Sequence, residues 1–147
     1  MEPQNDPTTI RWRIHLTSPP ERVYHMLSTE KGRAQFWAES TTQTGKSITF
    51  HFPNGETWQG DILAQGAPRL FQVSYYGGSV ATFELAGDGA GGTDLTLVDR
   101  GVPGEHRCEV MAGWVSVLMA LKAAVDHGVD LRNHDPVRTW SQGYADN

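Results

Sequence analysis

The stretch VMAGWVSVLMALKAAV, residues 110–125, decides how this chain folds. Its apolar side chains recur at steps of three and four residues, the spacing that places them on one face of an α-helix. We expect the helix to run from about Glu105 to His127, because Gly128 supplies a natural stop. At 1.5 Å per residue it would be roughly 34 Å long, enough to cross a whole β-sheet. The inward stripe consists of Met111, Trp114, Leu118, Leu121 and Val125.

The chain before this helix alternates apolar and polar residues, a pattern typical of half-buried β-strands. Glycine, proline and asparagine turns separate the alternating stretches. Such regular spacing indicates an antiparallel meander. We therefore predict an α+β domain of the helix-grip kind, in which a curved antiparallel sheet of six to seven strands surrounds the long C-terminal helix. The predicted strands are Thr9–Thr17, Ser47–Phe52, Thr57–Gln65, Leu70–Tyr76, Val80–Leu85 and Thr93–Arg100.

Two short helices are predicted after the first strand. Ser18-Pro19-Pro20-Glu21 opens the first helix, with Ser18 as its cap, proline at the first helical position and Glu21 completing a capping box. That helix should end near Leu27. Ser28-Thr29-Glu30 opens the second, which should end near Phe36-Trp37. Helices this short cannot span a sheet, so we expect them to close one end of it.

The composition excludes several classes of protein. A net charge of −5 and the lack of any basic run argue against a nucleic-acid partner. A single cysteine, Cys108, excludes a disulfide framework and a multi-cysteine metal site, and it favours the reducing cytoplasm. The most apolar stretch, Val110–Val125, is shorter than a membrane span and carries Lys122. We expect a soluble protein without a membrane span.

The chain is expected to hold one folded domain with two flanking segments. Residues 1–7 contain two prolines and no apolar periodicity, so they are predicted to be a disordered tail. The domain itself should cover residues 8–128. Residues 129–147 are polar apart from a few anchors such as Trp140 and Tyr144, and we expect this extension to pack on the domain or on a partner.

A set of short motifs follows one order from Ile10 to Gly128. The motifs are Ser18–Tyr24, Phe36-Trp37, Gly60-Asp61-Ile62, Pro68-Arg69-Leu70, Val80–Leu85, Gly92–Leu97, and Gly113-Trp114 followed by Leu118, Leu121 and Lys122. In this order they resemble the heat-shock-protein-90 ATPase activator homologues, a branch of the START and birch-pollen-allergen-like (SRPBCC) superfamily. The resemblance implies a helix-grip fold and a role in binding ligands or in association with chaperones.

The interior of such a fold is either filled by large side chains or left as a pocket, because one helix cannot fill the concavity of a curled sheet. The inward positions here are rich in aromatic residues, which suit either outcome. Asp99 shares a face with Leu95 and Leu97 by strand alternation. A carboxylate there must find a donor or shift its pKa, so it could anchor a ligand or act as a general base; alternatively it meets water at the strand end or caps the helix. The candidate ligand-binding residues are Trp12, Trp37, Phe50, Trp58, Phe71, Tyr75, Phe83, Asp99, Trp114 and Leu118.

Three hypotheses for the function follow. The first is a domain that binds a small hydrophobic molecule between the sheet and the helix. The second is an enzyme of the polyketide cyclase or hydrolase kind that uses the same cavity. The third is a stress-response domain that binds a chaperone through its outer surface. The sequence contains no recognisable catalytic set or metal-binding motif, and no cofactor is expected, because the G-x-G-x-x-G pattern at Gly87–Gly92 is followed by a strand where a dinucleotide site needs a helix. A homodimer is a possible assembly.

Overall fold

The computed structural model describes residues 6–147, which form a sheet around a long C-terminal helix. A 3₁₀ turn at Gly104–His106 leads into that helix, close to the predicted start. The helices are α1 (Pro20–Ser28), α2 (Glu30–Arg33) and α3 (Arg107–His127), and the strands are β1 (Thr9–Leu16), β2 (Ser40–Thr44), β3 (Ser47–His51), β4 (Thr57–Gly66), β5 (Leu70–Ser74), β6 (Val80–Gly87) and β7 (Thr93–Arg100).

Within the described residues the strands form one seven-stranded antiparallel sheet in the order β1-β7-β6-β5-β4-β3-β2. This confirms the α+β helix-grip prediction. Strand β2 was missing from the predicted strands, because its sequence, STTQT, has no apolar alternation. It forms through tertiary contacts instead, since its residues pair with β3 from Ser40 opposite His51 to Thr44 opposite Ser47.

Helix α3 packs on the inner face of this sheet through the predicted stripe. Trp114, Leu118, Leu121 and Val125 are buried, whereas Met111 is only half-buried. By length and composition alone Gly104–His127 could cross a membrane, with a mean hydropathy of 1.6 in its most apolar window. Core helices of globular domains pass the same test, and here the stripe lies against the sheet.

Helix α1 begins differently from the prediction. Pro19 occupies the cap position, and no side chain of the described residues caps the helix. The Ser18 hydroxyl instead lies 2.7 Å from Asp126 Oδ1 and 3.0 Å from the Val125 carbonyl oxygen at the end of α3. The predicted capping box with Glu21 is therefore wrong, because the fold brings a carboxylate to Ser18 that the local sequence does not reveal.

Helix α2 follows at once and is shorter than predicted. The Thr29 hydroxyl accepts a hydrogen bond from the Gly32 amide and caps it. The regular helix ends at Arg33, and turns carry the chain on through Phe36 and Trp37. The backbone amide of Trp37 still donates to the Arg33 carbonyl, which fixes the indole close to the helix end.

The C-terminal residues 129–147, which we call the strap, run back over the domain. Arg132 donates from its guanidinium to the carbonyl oxygens of Ala34 and Ala38 at 2.7 and 2.8 Å. Trp140 packs edge-to-face on Phe52, with ring centroids 5.5 Å apart. Most of the predicted N-terminal tail, residues 1–5, lies outside the described residues.

Candidate functional site

Asp99 lies in a row of apolar side chains that crosses the inner face of the sheet. It pairs with Ile10 on β1 and with Ala81 on β6. The row continues through Val73 on β5 to Ile62 on β4. Asp99 has a relative exposure of 0 %, so it faces the interior and does not meet water at the strand end. Its small neighbour Ala81 leaves the carboxyl group with little side-chain bulk on that side.

The two carboxyl oxygens of Asp99 have different surroundings. The Trp114 indole Nε1 donates a hydrogen bond of 2.8 Å to Oδ2. The other oxygen, Oδ1, has no hydrogen-bond partner within residues 6–147, and we call it the open oxygen. The buried hydroxyl of Ser79 likewise makes no well-formed hydrogen bond to any described residue. Buried polar atoms in folded proteins are nearly always paired, so the open oxygen calls for a partner, which the nearby Ser79 hydroxyl, a water molecule or a polar group of a ligand could supply.

Burial raises the pKa of the Asp99 carboxyl above its ordinary value. The hydrogen bond from Trp114 and the nearby Ser79 hydroxyl oppose this shift without reversing it. The neutral form is therefore favoured to higher pH than for an exposed aspartate. A neutral carboxyl group can donate one hydrogen bond and accept others, so it suits a carbonyl, hydroxyl or amide group of a ligand.

Trp114, which binds the Asp99 carboxyl group, packs against two aromatic residues from other elements. The ring centroids of Trp37 and Trp114 lie 6.0 Å apart, and those of Tyr75 and Trp114 lie 5.1 Å apart. Trp37 Nε1 donates a 3.0 Å hydrogen bond to the Tyr75 hydroxyl oxygen. Burial raises the pKa of the Tyr75 hydroxyl. The hydrogen bond from Trp37 opposes this shift, whereas negative charge on Asp99 adds to it. Tyr75 therefore stays protonated.

The predicted ligand-binding residues all lie in or against the core, but not at one point. Ring contacts connect Trp37, Phe50, Tyr75, Phe83 and Trp114 into one aromatic cluster. The other predicted residues extend from it: Phe71 contacts Phe83, Trp58 contacts Tyr75, Leu118 is buried on α3, and Trp12 packs against the core from the edge strand β1. Trp12, Trp58 and Tyr75 are half-buried, so they form the border between this interior and the surface.

Sequence reasoning missed several buried polar residues, of which Ser79 and Arg33 bear on the interior. Ser79 lies beside Asp99 just before β6, where a serine after a Gly-Gly turn looks like an ordinary loop residue. Arg33 is fully buried and donates to Thr41, to Gln43 and to the Leu27 carbonyl oxygen. Burial lowers the pKa of Arg33 to about 10 although Glu30 opposes it, and the guanidinium fastens β2 to α2.

The outer face of the sheet carries a different kind of depression, of about 370 Å³. Arg13, Arg69, Glu84 and Asp94 supply its charged lining, and none of them was predicted as a site residue. In the part of the chain that the structure describes, no group of three or more histidine, cysteine, aspartate or glutamate side chains could hold a metal ion. The aromatic interior at Asp99 is therefore the candidate site.

A family model supports the resemblance seen in the motifs. The model for proteins described as "Activator of Hsp90 ATPase homolog 1-like protein" matches residues 17–126. A search of curated proteins finds no significant match.

Solved structures with the same fold are similar to this chain at low sequence identity. The Aha1 dimer from Colwellia psychrerythraea has a TM-score of 0.74 at 20 % identity, covering 82 % of this chain and 97 % of its own. DynU16, described as a putative protein in the dynemicin biosynthetic locus, has a TM-score of 0.69 at 24 % identity over 84 % of this chain and 49 % of its own. CalU16 from Micromonospora echinospora has a TM-score of 0.68 at 22 % identity, over 82 % of this chain and 77 % of its own. At these identities the structures establish a shared fold.

Proposed function

This chain belongs to the Activator of Hsp90 ATPase homolog 1-like family, and from that premise we propose that it binds a small hydrophobic molecule at Asp99, between the sheet and α3. The open oxygen of Asp99 is the observation that carries the proposal. Leaving a buried polar group unpaired costs roughly 1–3 kcal/mol, so a fold keeps such a group where something else pairs with it.

The surroundings of Asp99 define the chemistry of the ligand. Trp37, Tyr75 and Trp114 offer ring faces and edges, which favour a flat aromatic molecule over a flexible aliphatic chain. The raised pKa of Asp99 favours a partner that accepts or donates a hydrogen bond without carrying a negative charge. We therefore expect an aromatic ligand that bears a carbonyl, hydroxyl or amide group.

We expect Tyr75 to control the approach to Asp99. It is half-buried, whereas Trp37 and Trp114 are only 3 % and 2 % exposed. It stands directly before the turn Tyr76–Gly78, in which Gly77 and Gly78 both have positive φ. A side chain at the end of a strand and next to a glycine turn can move at lower cost than one within the sheet. The ligand would reach the open oxygen by displacing the Tyr75 ring.

The test is a screen of aromatic carbonyl and phenol compounds by thermal shift and native mass spectrometry. It uses the wild type, Asp99→Leu and Asp61→Leu, the last being a matched change at an exposed position of β4. We expect compounds that bind the wild type and Asp61→Leu equally, with affinity for Asp99→Leu weaker by about tenfold, the effect of one lost hydrogen bond to a buried carboxyl group. A library without a single binder, or equal binding to all three proteins, contradicts the proposal.

A chaperone-associated role is the second candidate, because the family is described by activation of the Hsp90 ATPase and the fold is that of an Aha1 protein. In this role the outer surface would bind the partner and the interior would be ordinary core. A pulldown with a heat-shock-protein-90 homologue would then succeed with the wild type and with Asp99→Leu alike. Loss of the complex in Asp99→Leu, at unchanged folding, would speak against the outer surface.

The assembly and compartment are part of the same proposal. A homodimer is favoured by the Aha1 relative, which is described as a dimer. The free, exposed thiol of Cys108 suits a reducing cytoplasm. Analytical ultracentrifugation of the reduced protein should show a mass of two chains, and a single-chain mass at micromolar concentration would exclude a stable homodimer.

A further inference from the structure

The strap touches three parts of the domain that carry or adjoin the aromatic cluster: the turn after α2, the hairpin between β3 and β4, and α3. Arg132 binds the carbonyl oxygens of Ala34 and Ala38, on both sides of the cluster residue Trp37. The Ala145 carbonyl oxygen accepts a 3.2 Å hydrogen bond from the hydroxyl of Ser116, which lies two residues after Trp114 on α3. Between these two anchors, the strap crosses the hairpin between β3 and β4.

At this hairpin the strap lies beside the half-buried border of the interior. Trp140 packs on Phe52, whose ring centroid lies 4.4 Å from that of Trp58. Trp58 in turn lies 5.2 Å from Tyr75, the residue that we expect to control the approach to Asp99. A chain of ring contacts therefore joins the strap to the proposed approach to the ligand site.

The strap is held together as a unit by its own hydrogen bonds. The Asn133 amide donates to the Asp146 carbonyl oxygen at 2.8 Å, and the Asn133 side chain donates to the Arg138 carbonyl oxygen at 3.0 Å. Thr139 caps the turn Trp140–Gln142 with a complete capping box. Loops whose ends lie close together are compact, so we expect the strap to move as one body. Gly128, with a left-handed φ of 65°, joins it to α3 and can serve as the hinge.

His134 fastens this body to the domain. Its Nδ1 lies 2.7 Å from Glu39 Oε1, in the turn between α2 and β2, and its Nε2 lies 2.7 Å from Asp130 Oδ2 on the strap. Both ring nitrogens can donate only when the imidazole is protonated, so a neutral ring leaves one carboxylate facing a lone pair. His134 also has a positive φ of 56°, an unfavourable backbone conformation that such contacts must hold in place.

We propose that the strap is a gate over the ligand site and that His134 is its proton-dependent latch. The inference rests on the proposed function, because a gate needs a site to close. The charged groups that face the imidazole are Glu39 from the domain and Asp130 from the strap, with Arg132 bound to Asp130 at 3.0 Å. Arg132 also binds the carbonyl oxygens of Ala34 and Ala38, so it holds the strap near the domain while His134 decides how firmly the strap is closed.

The direction of the pH dependence follows from the carboxylates around His134. The hydrogen bond to Asp130 has the largest effect and raises the pKa of His134 above 6.5. Partial burial opposes this shift, and the bond to Glu39 adds to it. A raised histidine pKa means that the latch contributes fully below about pH 6.5 and is lost as the pH rises through the higher value of the closed state. The gate is closed in mildly acidic solution and loosens in mildly alkaline solution.

The test needs no ligand, so its failure can be told apart from a failure of the proposed function. In a Trp140→Phe background, quenching of the remaining tryptophans by acrylamide, a neutral probe, reports on access to the interior. We expect quenching to increase from pH 6 to pH 8.5, and to be high and independent of pH after His134→Gln. Hydrogen exchange of the strap amides, compared at one pH, should be about tenfold faster in His134→Gln, the effect of one lost charge-assisted hydrogen bond.

His25→Gln, at an exposed position of α1, is the matched control and should behave like the background protein. The same increase in quenching with pH in His134→Gln as in the background would overturn the latch. Faster strap exchange without any change in quenching would overturn the gate. If both responses occur while the ligand screen fails, the gate stands and the proposed ligand site falls.

Discussion

Two aspartates with buried side chains, Asp99 beside Trp114 of α3 and Asp126 near the C-terminus of α3, have opposite environments. The side chains of Asp99 and Asp126 both have 0 % exposure, and both contact α3 or belong to it. Asp126 accepts from the Thr17 and Ser18 amides at 2.9 and 3.0 Å and lies 3.5 Å from the Lys122 ammonium group. Asp99 accepts one bond, from Trp114, and keeps its open oxygen.

The difference appears in the direction in which each pKa moves. Burial opposes ionisation of Asp126, but the bonds from Thr17 and Ser18 and the charge of Lys122 outweigh it and lower the pKa to about 2. At Asp99 burial prevails and the pKa is raised. Burial alone therefore does not identify a functional carboxyl group; the number of hydrogen bonds that the fold supplies separates a structural aspartate from a candidate for binding.

Asp126→Asn should have the largest effect on the stability of this fold. An amide group in place of one carboxyl oxygen would face the donors of Thr17 or Ser18, so at least one donor loses its partner. We expect the free energy of unfolding at pH 7, from urea denaturation followed by circular dichroism, to fall by about 2–3 kcal/mol. A loss below about 1 kcal/mol would mean that the junction of β1, α1 and α3 does not depend on this carboxylate.

The wild type should also lose this contribution in acid. A depressed carboxyl pKa stabilises the fold above the unfolded value of 3.8, and the effect disappears as the pH falls to about 2. Asp126→Asn has no such carboxyl group, so its deficit relative to the wild type should shrink over this range. A deficit that stays constant from pH 7 to pH 2 would contradict the assignment.

Ser18→Ala should have the next largest effect, about 1–2 kcal/mol, because its hydroxyl donates to Asp126, with the Val125 carbonyl oxygen as a second acceptor at 3.0 Å. The double variant with Asp126→Asn distinguishes this role from helix capping. Two residues in contact should show a coupling energy of about 1 kcal/mol or more in a double-mutant cycle. Additive effects would restore the capping role that the local sequence suggests.

Ser18 illustrates why part of the molecule could be predicted and part could not. The helix-grip fold follows from periodicity, since the α3 stripe and six of the seven strands, all except β2, are visible without tertiary information. The partner of Ser18 lies more than a hundred residues away at Asp126. Strand β2 was missed for the same reason, because Arg33 and β3 hold it in place and its own residues carry no pattern.

The candidate site was accessible to sequence reasoning only in outline. Strand alternation places Asp99 among inward apolar residues, but no local pattern indicates that Trp114 pairs with one of its oxygens. Ser79 and the strap residue His134 were not predicted as functional residues. Ser79 follows a glycine turn and looks like a loop residue, and the partner of His134, Glu39, is distant in the sequence. Which aromatic side chains meet at Asp99 depends on the curvature of the sheet, which periodicity does not specify.

Asp99→Asn should change the free energy of unfolding least of the three variants at neutral pH. The informative quantity is whether the difference from the wild type rises or falls with pH. The amide group has the shape of the neutral carboxyl group and can still accept from Trp114, so we expect a change within about 1 kcal/mol of the wild type at pH 7. A raised carboxyl pKa makes the wild type lose stability as the pH rises from 3.8 towards the folded-state value, because the unfolded chain releases its proton first. Asparagine does not titrate and has no such loss, so the free energy of unfolding of Asp99→Asn should rise relative to that of the wild type as the pH rises.

Urea unfolding of both proteins between pH 4 and pH 8 measures this difference directly. If Asp99→Asn instead falls further behind the wild type as the pH rises, the carboxylate of Asp99 is stabilised in the folded protein as that of Asp126 is, and the open oxygen has a partner in solution. In that case both aspartates would be structural, and the contrast on which the ligand site depends would disappear. If the stability of Asp99→Asn instead rises relative to the wild type with pH, the fold keeps a desolvated carboxyl group at this position at a cost to stability. A purely structural role does not require such a group.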